Sequence, residues 1–218
     1  MSELETPHPP PTEEFGHVVA GGSAHLYPPA GPVRARKFSV GAWDNNVYVV
    51  ECGGQGVIVD GAADHERILS EAKGLELVGI VQTHNHPDHT GALRQLVDEL
   101  DVPVYAHRDD EMPVPANPID DMGVLLVGDQ ELRTFHTPGH TPGSMCYLIG
   151  DHLFTGDSLF PGGPGATGGE PDRFATIMTS LDRLFELPDE TRVSPGHGVD
   201  TTIGRERPYV DVWRSRGW

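Results

Sequence analysis

The sequence predicts an α/β fold in which two β-sheets face each other with helices on the outside. Three observations carry this reading. Short apolar, β-branched runs recur along the chain, bounded by glycine, proline and aspartate. Strands come first, then helices, then more strands and a helix, an order that a sandwich of two sheets with outer helices accommodates. A length of 218 residues fits one domain with ample core.

Residues 1–14 hold Pro7, Pro9, Pro10 and Pro11 among Glu3, Glu5, Glu13 and Glu14. They read as a disordered or extended arm ahead of a single domain over 15–218. Strands are expected over 33–40, 46–51 and 56–60, with Gly53 and Gly54 turning the last two into a hairpin. Segment 62–72 reads as a helix, with His65 on its surface. Leu77, Val78, Ile80 and Val81 mark a buried strand, and Leu93, Leu96, Val97 and Leu100 fall at helical spacing over 90–100. A short strand follows over 102–106, with His107 at its turn. Pro113, Pro115 and Pro118 make 109–121 a surface loop.

Four antiparallel strands are expected over 123–127, 131–136, 144–149 and 151–155. The five glycines of 161–171 predict a mobile lid beside the substrate. Phe174, Ile177, Met178, Leu181, Leu184 and Phe185 form the core face of a helix over 172–186. Trp213 and Trp218 would pack the tail on the body or on a second subunit.

Net charge is −18, from 33 acidic and 15 basic residues, which argues against nonspecific nucleic-acid binding. No apolar run approaches a membrane span, and no signal-peptide pattern opens the chain, so it reads as cytoplasmic with no membrane partner. The two cysteines, Cys52 and Cys146, lack metal or redox spacing and read as core residues.

The chemistry is concentrated in Thr83-His84-Asn85-His86-Pro87-Asp88-His89-Thr90-Gly91, between the buried strand and the following helix. His84 and His86, at alternate positions of an extended segment, point the same way and can grip one ion. Asp88 and His89 follow a proline that bends the chain, and reach a second point nearby. Imidazole and carboxylate are ordinary ligands for zinc and neighbouring transition metals. Asp60, at its strand end, is expected to orient one of these ligands from behind.

Three later turns add donors. Thr137-Pro138-Gly139-His140-Thr141-Pro142-Gly143-Ser144 fixes His140 in a rigid turn, and His136 ranks below it. Phe154-Thr155-Gly156-Asp157-Ser158-Leu159-Phe160 presents Asp157 directly after a strand. Pro195-Gly196-His197-Gly198 gives another strand-end histidine. His84, His86, Asp88, His89, His140, Asp157 and His197 are too many for one tetrahedral ion and fit two ions sharing a carboxylate and a water.

These four motifs, in this order over about 46–198, resemble the metallo-β-lactamase superfamily, and most of all its small glyoxalase II-like hydrolases. The resemblance implies a four-layer αββα sandwich. It implies one metal on His84, His86 and His140, another on Asp88, His89 and His197, and Asp157 bridging them. The expected cofactors are two divalent ions, zinc first, with iron or manganese accepted by the same donors.

The expected reaction is attack of a metal-bridging hydroxide on a carbonyl carbon, with Asp88 helping to orient the nucleophile. The resemblance implies a small acyl-thiol of the hydroxyacyl kind as substrate, and the lack of a dedicated acid beside the motifs fits a thiolate leaving group. Arg173, Arg205 and Arg207 are candidate carboxylate binders or ordinary surface residues. Two other reaction classes share the ligand set: persulfide oxidation by one iron, and lactone or β-lactam hydrolysis.

Overall fold

The computed structural model describes residues 16–217, so the expected N-terminal arm and Trp218 lie outside the described residues. The first sheet has seven strands in chain order: β1 (His25–Leu26), β2 (Arg34–Val40), β3 (Asn45–Cys52), β4 (Gln55–Val59), β5 (Glu76–Val81), β6 (Val104–Ala106) and β7 (Asn117–Pro118). β1 to β4 pair antiparallel, β2 to β4 through short turns. β4, β5, β6 and β7 pair parallel, which needs crossovers. Helix α1 (His65–Glu71) makes the first crossover, and α2 (Pro87–Thr90) with α3 (Leu93–Leu100) the second. The expected helix over 90–100 is thus two helices that break at Gly91 and Ala92. The first starts three residues early, because Pro87 is preset for the first turn of a helix.

The second sheet has six strands in the order β15-β14-β11-β10-β9-β8. They are β8 (Val124–Val127), β9 (Gln130–His136), β10 (Met145–Ile149), β11 (His152–Gly156), β14 (Arg192–Pro195) and β15 (Thr201–Thr202). Between them lie a two-stranded ribbon, β12 (Leu159–Phe160) with β13 (Gly163–Pro164), and helix α4 (Pro171–Leu184). Two short helices, α5 (Ile203–Glu206) and α6 (Val210–Arg216), close the described chain.

Four layers follow from which faces are apolar. Tyr48, Val50, Val57 and Val59 of the first sheet meet Met145, Tyr147, Ile149 and Phe154 of the second, and form the core between the sheets. Phe38, Val47, Val49, Ile58 and Ile80 point the other way, onto Ile68 of α1 and Leu93 and Leu96 of α3. Cys146, Leu148, Leu153 and Val193 pack under Ile177, Met178 and Leu181 of α4 and Trp213 of α6. Strands buried on both faces explain the continuous apolar runs of the sequence. The tail therefore packs on the body, with Trp213 fully buried. Cys52 and Cys146 are buried free thiols, as expected.

The lid expectation is corrected. Gly162, Gly163, Pro164 and Gly165 are buried, while Ala166 and the stretch from Gly168 to Pro171 are exposed. Backbone hydrogen bonding, which composition does not reveal, holds this stretch. The Gly162 N–H donates to the buried Glu206 carboxylate at 2.9 Å, and the Gly165 N–H to the Ser158 carbonyl at 3.2 Å. No helix among the described residues is long and apolar enough to cross a membrane.

Candidate metal centre

All seven expected donors converge at one edge of the sandwich, where strands of both sheets end. β5 runs into His84 and His86, and α2 carries Asp88 and His89. The turn between β9 and β10 carries His140, the end of β11 leads into Asp157, and the end of β14 leads into His197. The ligand-bearing loops pack without room for side chains. A Cβ on Gly196 would lie 2.4 Å from Asp157 Oδ1 and 2.6 Å from the His89 ring.

The donors fall into two groups. In one, His84, His86 and His140 bring their nitrogens together, with His140 Nε2 3.0 Å from His86 Nδ1. In the other, Asp88, His89 and His197 converge, with His89 Nε2 3.0 Å from His197 Nε2 and Asp88 Oδ2 3.4 Å from His197 Nε2. Asp157 lies between them. Its Oδ1 is 3.5 Å from His89 Nε2, while its Oδ2 is 3.5 Å from His140 Nε2 and 3.6 Å from His197 Nε2.

Each ring but that of His86 is anchored by its far nitrogen. His89 Nδ1 faces Asp60 Oδ2 at 2.9 Å, His140 Nδ1 the Ala166 carbonyl at 2.8 Å, and His197 Nδ1 the Trp43 carbonyl at 2.8 Å. Thr83 donates its hydroxyl to Asp60, so its oxygen is left to accept from His84 Nδ1 at 3.0 Å. With Nδ1 donating in all four rings, each Nε2 is turned inward, where it can ligate an ion once any proton on it is displaced. That is how an outer partner fixes the tautomer of a ligand. Asp60 plays the orienting part expected of it, for two rings at once.

Electrostatics follow from burial and these partners. Burial holds the His84 imidazolium well below its usual range. Burial also lowers His140, against Asp157 and the Ala166 hydrogen bond. Burial opposes charge on His89 too, but the Asp60 hydrogen bond and the charges of Asp60, Asp157 and Asp88 outweigh it and raise this ring to about 9. Burial pushes Asp88 up, yet the Asn45 hydrogen bond and the His89 and His197 charges leave it below the usual carboxylate range.

The donor set fits divalent cations. His84 Nε2 and Asp157 Oδ1 are buried without a hydrogen-bond partner, a costly state that a cation would relieve. His89 Nε2 and His197 Nε2 meet at 3.0 Å although each Nδ1 is already turned to an oxygen. Two inward lone pairs at that distance require a proton or a metal between them.

His136 and His107 do not join this centre. Their rings stack 3.8 Å apart in a separate group with Asp109. Two of the candidate carboxylate-binding arginines, Arg173 and Arg207, serve the scaffold. Arg173 donates to the Gly139 and His140 carbonyls, and Arg207 to the Phe185 and Leu187 carbonyls. His65 faces Glu99 on the surface at 3.4 Å. Sequence reasoning missed Asn45, whose amide donates to both Asp88 Oδ2 and the Asp88 carbonyl at 3.0 Å. An asparagine opening a strand gives no signal of such a role.

An open cleft of about 790 Å³ lies along the loop that carries the first donors, lined by Asn85, Pro87, Thr90, Arg94, Glu111 and Met112 among others but by none of the seven donors. A second cleft of about 380 Å³ passes Asp88 on the other side, where Trp43 is 76% exposed.

Comparison with known proteins agrees with this geometry. The family described as the Metallo-beta-lactamase superfamily matches residues 40–197. Probable metallo-hydrolase YqgX of Bacillus subtilis (strain 168) is 34% identical over 79% of this chain and 93% of its own length. A hydroxyacylglutathione hydrolase of Shewanella halifaxensis (strain HAW-EB4) is 38% identical over 70% of this chain, but the match spans only 57% of that enzyme. The crystal structure of TTHA1623 in a di-iron-bound form is 35% identical, with a TM-score of 0.68, over 78% of this chain and 95% of its own.

Proposed function

Because the chain belongs to the metallo-beta-lactamase superfamily, we propose that it is a dinuclear metal-dependent hydrolase of a thioester, with a small acyl-thiol as substrate. The observation that carries the reading is Asp157, whose carboxylate lies within 3.6 Å of ring nitrogens of both donor groups. His84, His86 and His140 would hold one ion, Asp88, His89 and His197 the other, and Asp157 both. Bound ions of this kind, zinc first and iron or manganese on the same donors, supply hydroxide near neutral pH and stabilise a developing oxyanion.

The chain's own residues supply the positioning. Asn45 holds Asp88, which lines the smaller cleft and whose side chain is 36% exposed. An acceptor there can orient an attacking water toward a carbonyl carbon. The anchored imidazoles keep their geometry through the reaction, so little reorganisation opposes the developing charge. The larger cleft, beside Asn85 and Pro87, offers space for the thiol half of the substrate. The likeness to hydroxyacylglutathione hydrolases supports a thioester, though the chain spans just over half the length of that relative.

The test is hydrolysis of S-lactoylglutathione by zinc-loaded protein, with Asp157→Ala as control. Turnover abolished by the substitution is the expected result. No turnover by folded, metal-replete protein would remove the glutathione thioester. Oxygen uptake with glutathione persulfide by iron-loaded protein would then favour the oxidative alternative.

A further inference from the structure

We propose that Asp110 is a positioning residue for one half of the metal centre, the half formed by His84, His86 and His140. The inference rests on the two-ion reading above. Asp110 lies beyond β6, is 4% exposed, and belongs to neither donor group. Its carboxylate joins two loops that arise from different sheets. Oδ2 accepts the Asn85 N–H at 3.1 Å and the Thr141 hydroxyl at 2.7 Å. Oδ1 accepts the Gly143 N–H at 2.8 Å.

The places of those donors give the clamp its consequence. Asn85 sits between His84 and His86, and Thr141 directly follows His140. At the strand ends the two segments are also tied by the Met145 N–H to the Thr83 carbonyl and by the Tyr147 hydroxyl to the Gln82 carbonyl. The clamp lies at the other end, where His86 and His140 must meet at 3.0 Å. The fit is close: a Cβ on Gly143 would lie 2.7 Å or less from Asp110 side-chain and backbone atoms, so glycine is required there.

The other half of the centre is held independently. Asn45 fixes Asp88, Asp60 fixes His89, and the Trp43 carbonyl fixes His197. None of these contacts involves Asp110. Loss of the clamp should therefore weaken one ion and spare the other. Asn at position 110 suffices to break it. Both Asp110 oxygens accept, so an amide in either orientation sets N–H against a donor.

Zinc titration of metal-free protein against a chromogenic chelator tests this, beside cobalt spectra that report each site. The expected result is two tightly held ions in the wild type. Asp110→Asn and Thr141→Val should keep one and bind the second about 10- to 100-fold more weakly, the usual cost of losing an outer partner. Thr141→Ser, which keeps the hydroxyl, should restore the second ion. Thr141→Val carries the test if Asp110→Asn does not fold. Two ions held normally in folded variants, or both weakened alike, would overturn the inference alone. A wild type that takes up one ion would overturn the two-ion reading, and the inference with it.

Discussion

Asp60 Oδ2 lies 2.9 Å from His89 Nδ1, and the same oxygen takes the Thr83 hydroxyl at 2.8 Å. One buried carboxylate thus orients a ligand of each half of the centre, His89 directly and His84 through Thr83. Asp60 has a left-handed backbone, with φ 66°, which Asn adopts readily but Ala does not. Asp60→Asn keeps that conformation, but Oδ1 also accepts the Thr83 N–H at 2.7 Å, so an amide in either orientation sets its own N–H against a donor. It should lower metal affinity about 10- to 100-fold without unfolding the protein, as read by chelator competition and circular dichroism.

The same contact governs how metal uptake depends on pH. In metal-free protein His89 is raised to about 9. At neutral pH it carries a proton that an incoming ion must displace. Apparent affinity should therefore climb about tenfold per pH unit up to about pH 9 and level off above it. Calorimetry at pH 7 in two buffers of different ionisation enthalpy should give about one proton released for the ion at His89. Affinity that does not change between pH 6 and 8 would contradict this.

Much of this was legible because ligand chemistry is local in sequence. His84, His86, Asp88 and His89 fall within six residues, and His140, Asp157 and His197 each stand in a glycine-framed turn at a strand end. The alternating and continuous apolar runs placed the longer strands to within a residue or two, but not the two-residue strands β1, β7, β12, β13 and β15, of which β7 lies in the segment expected as a loop. What stayed hidden was whatever depends on backbone partners. The Ala166 and Trp43 carbonyls that hold His140 and His197 have no side-chain signature. Neither does the bonding that turns a glycine-rich stretch from an expected lid into a buried wall. Asp110 lay in a proline-marked loop whose composition suggested only surface.

His152 sets an acid limit on stability. Both its ring nitrogens are buried without a hydrogen-bond partner, and burial lowers it to about 4. Below pH 6.5 the unfolded chain takes up a proton that the folded ring refuses until about pH 4. The stability this site contributes is complete above 6.5 and is lost as pH falls toward 4, by about 3 kcal/mol. His152→Leu should shrink the stability difference between pH 7 and pH 4 by about that amount in urea unfolding. An unchanged difference would place the acid sensitivity elsewhere.

Lys37 and Asp200 form an ion pair at 2.8 Å with side chains 0% and 1% exposed, tying β2 of the first sheet to the chain beyond β14 of the second. Burial lowers the Lys37 ammonium and raises the Asp200 carboxyl, each against the pull of the other. Lys37 also donates to the Gly198 carbonyl at 2.6 Å, and Tyr27 donates to Asp200 at 2.7 Å. Such a pair contributes little net stability, yet removing one member leaves the other charge buried. Lys37→Met alone should cost about 3 to 5 kcal/mol in urea unfolding. Lys37→Met with Asp200→Leu should cost clearly less than the sum of the single changes, since the double variant buries no lone charge. Additive costs would mean that the two residues act through separate contacts, with Lys37 serving Gly198 and the His197 turn rather than Asp200.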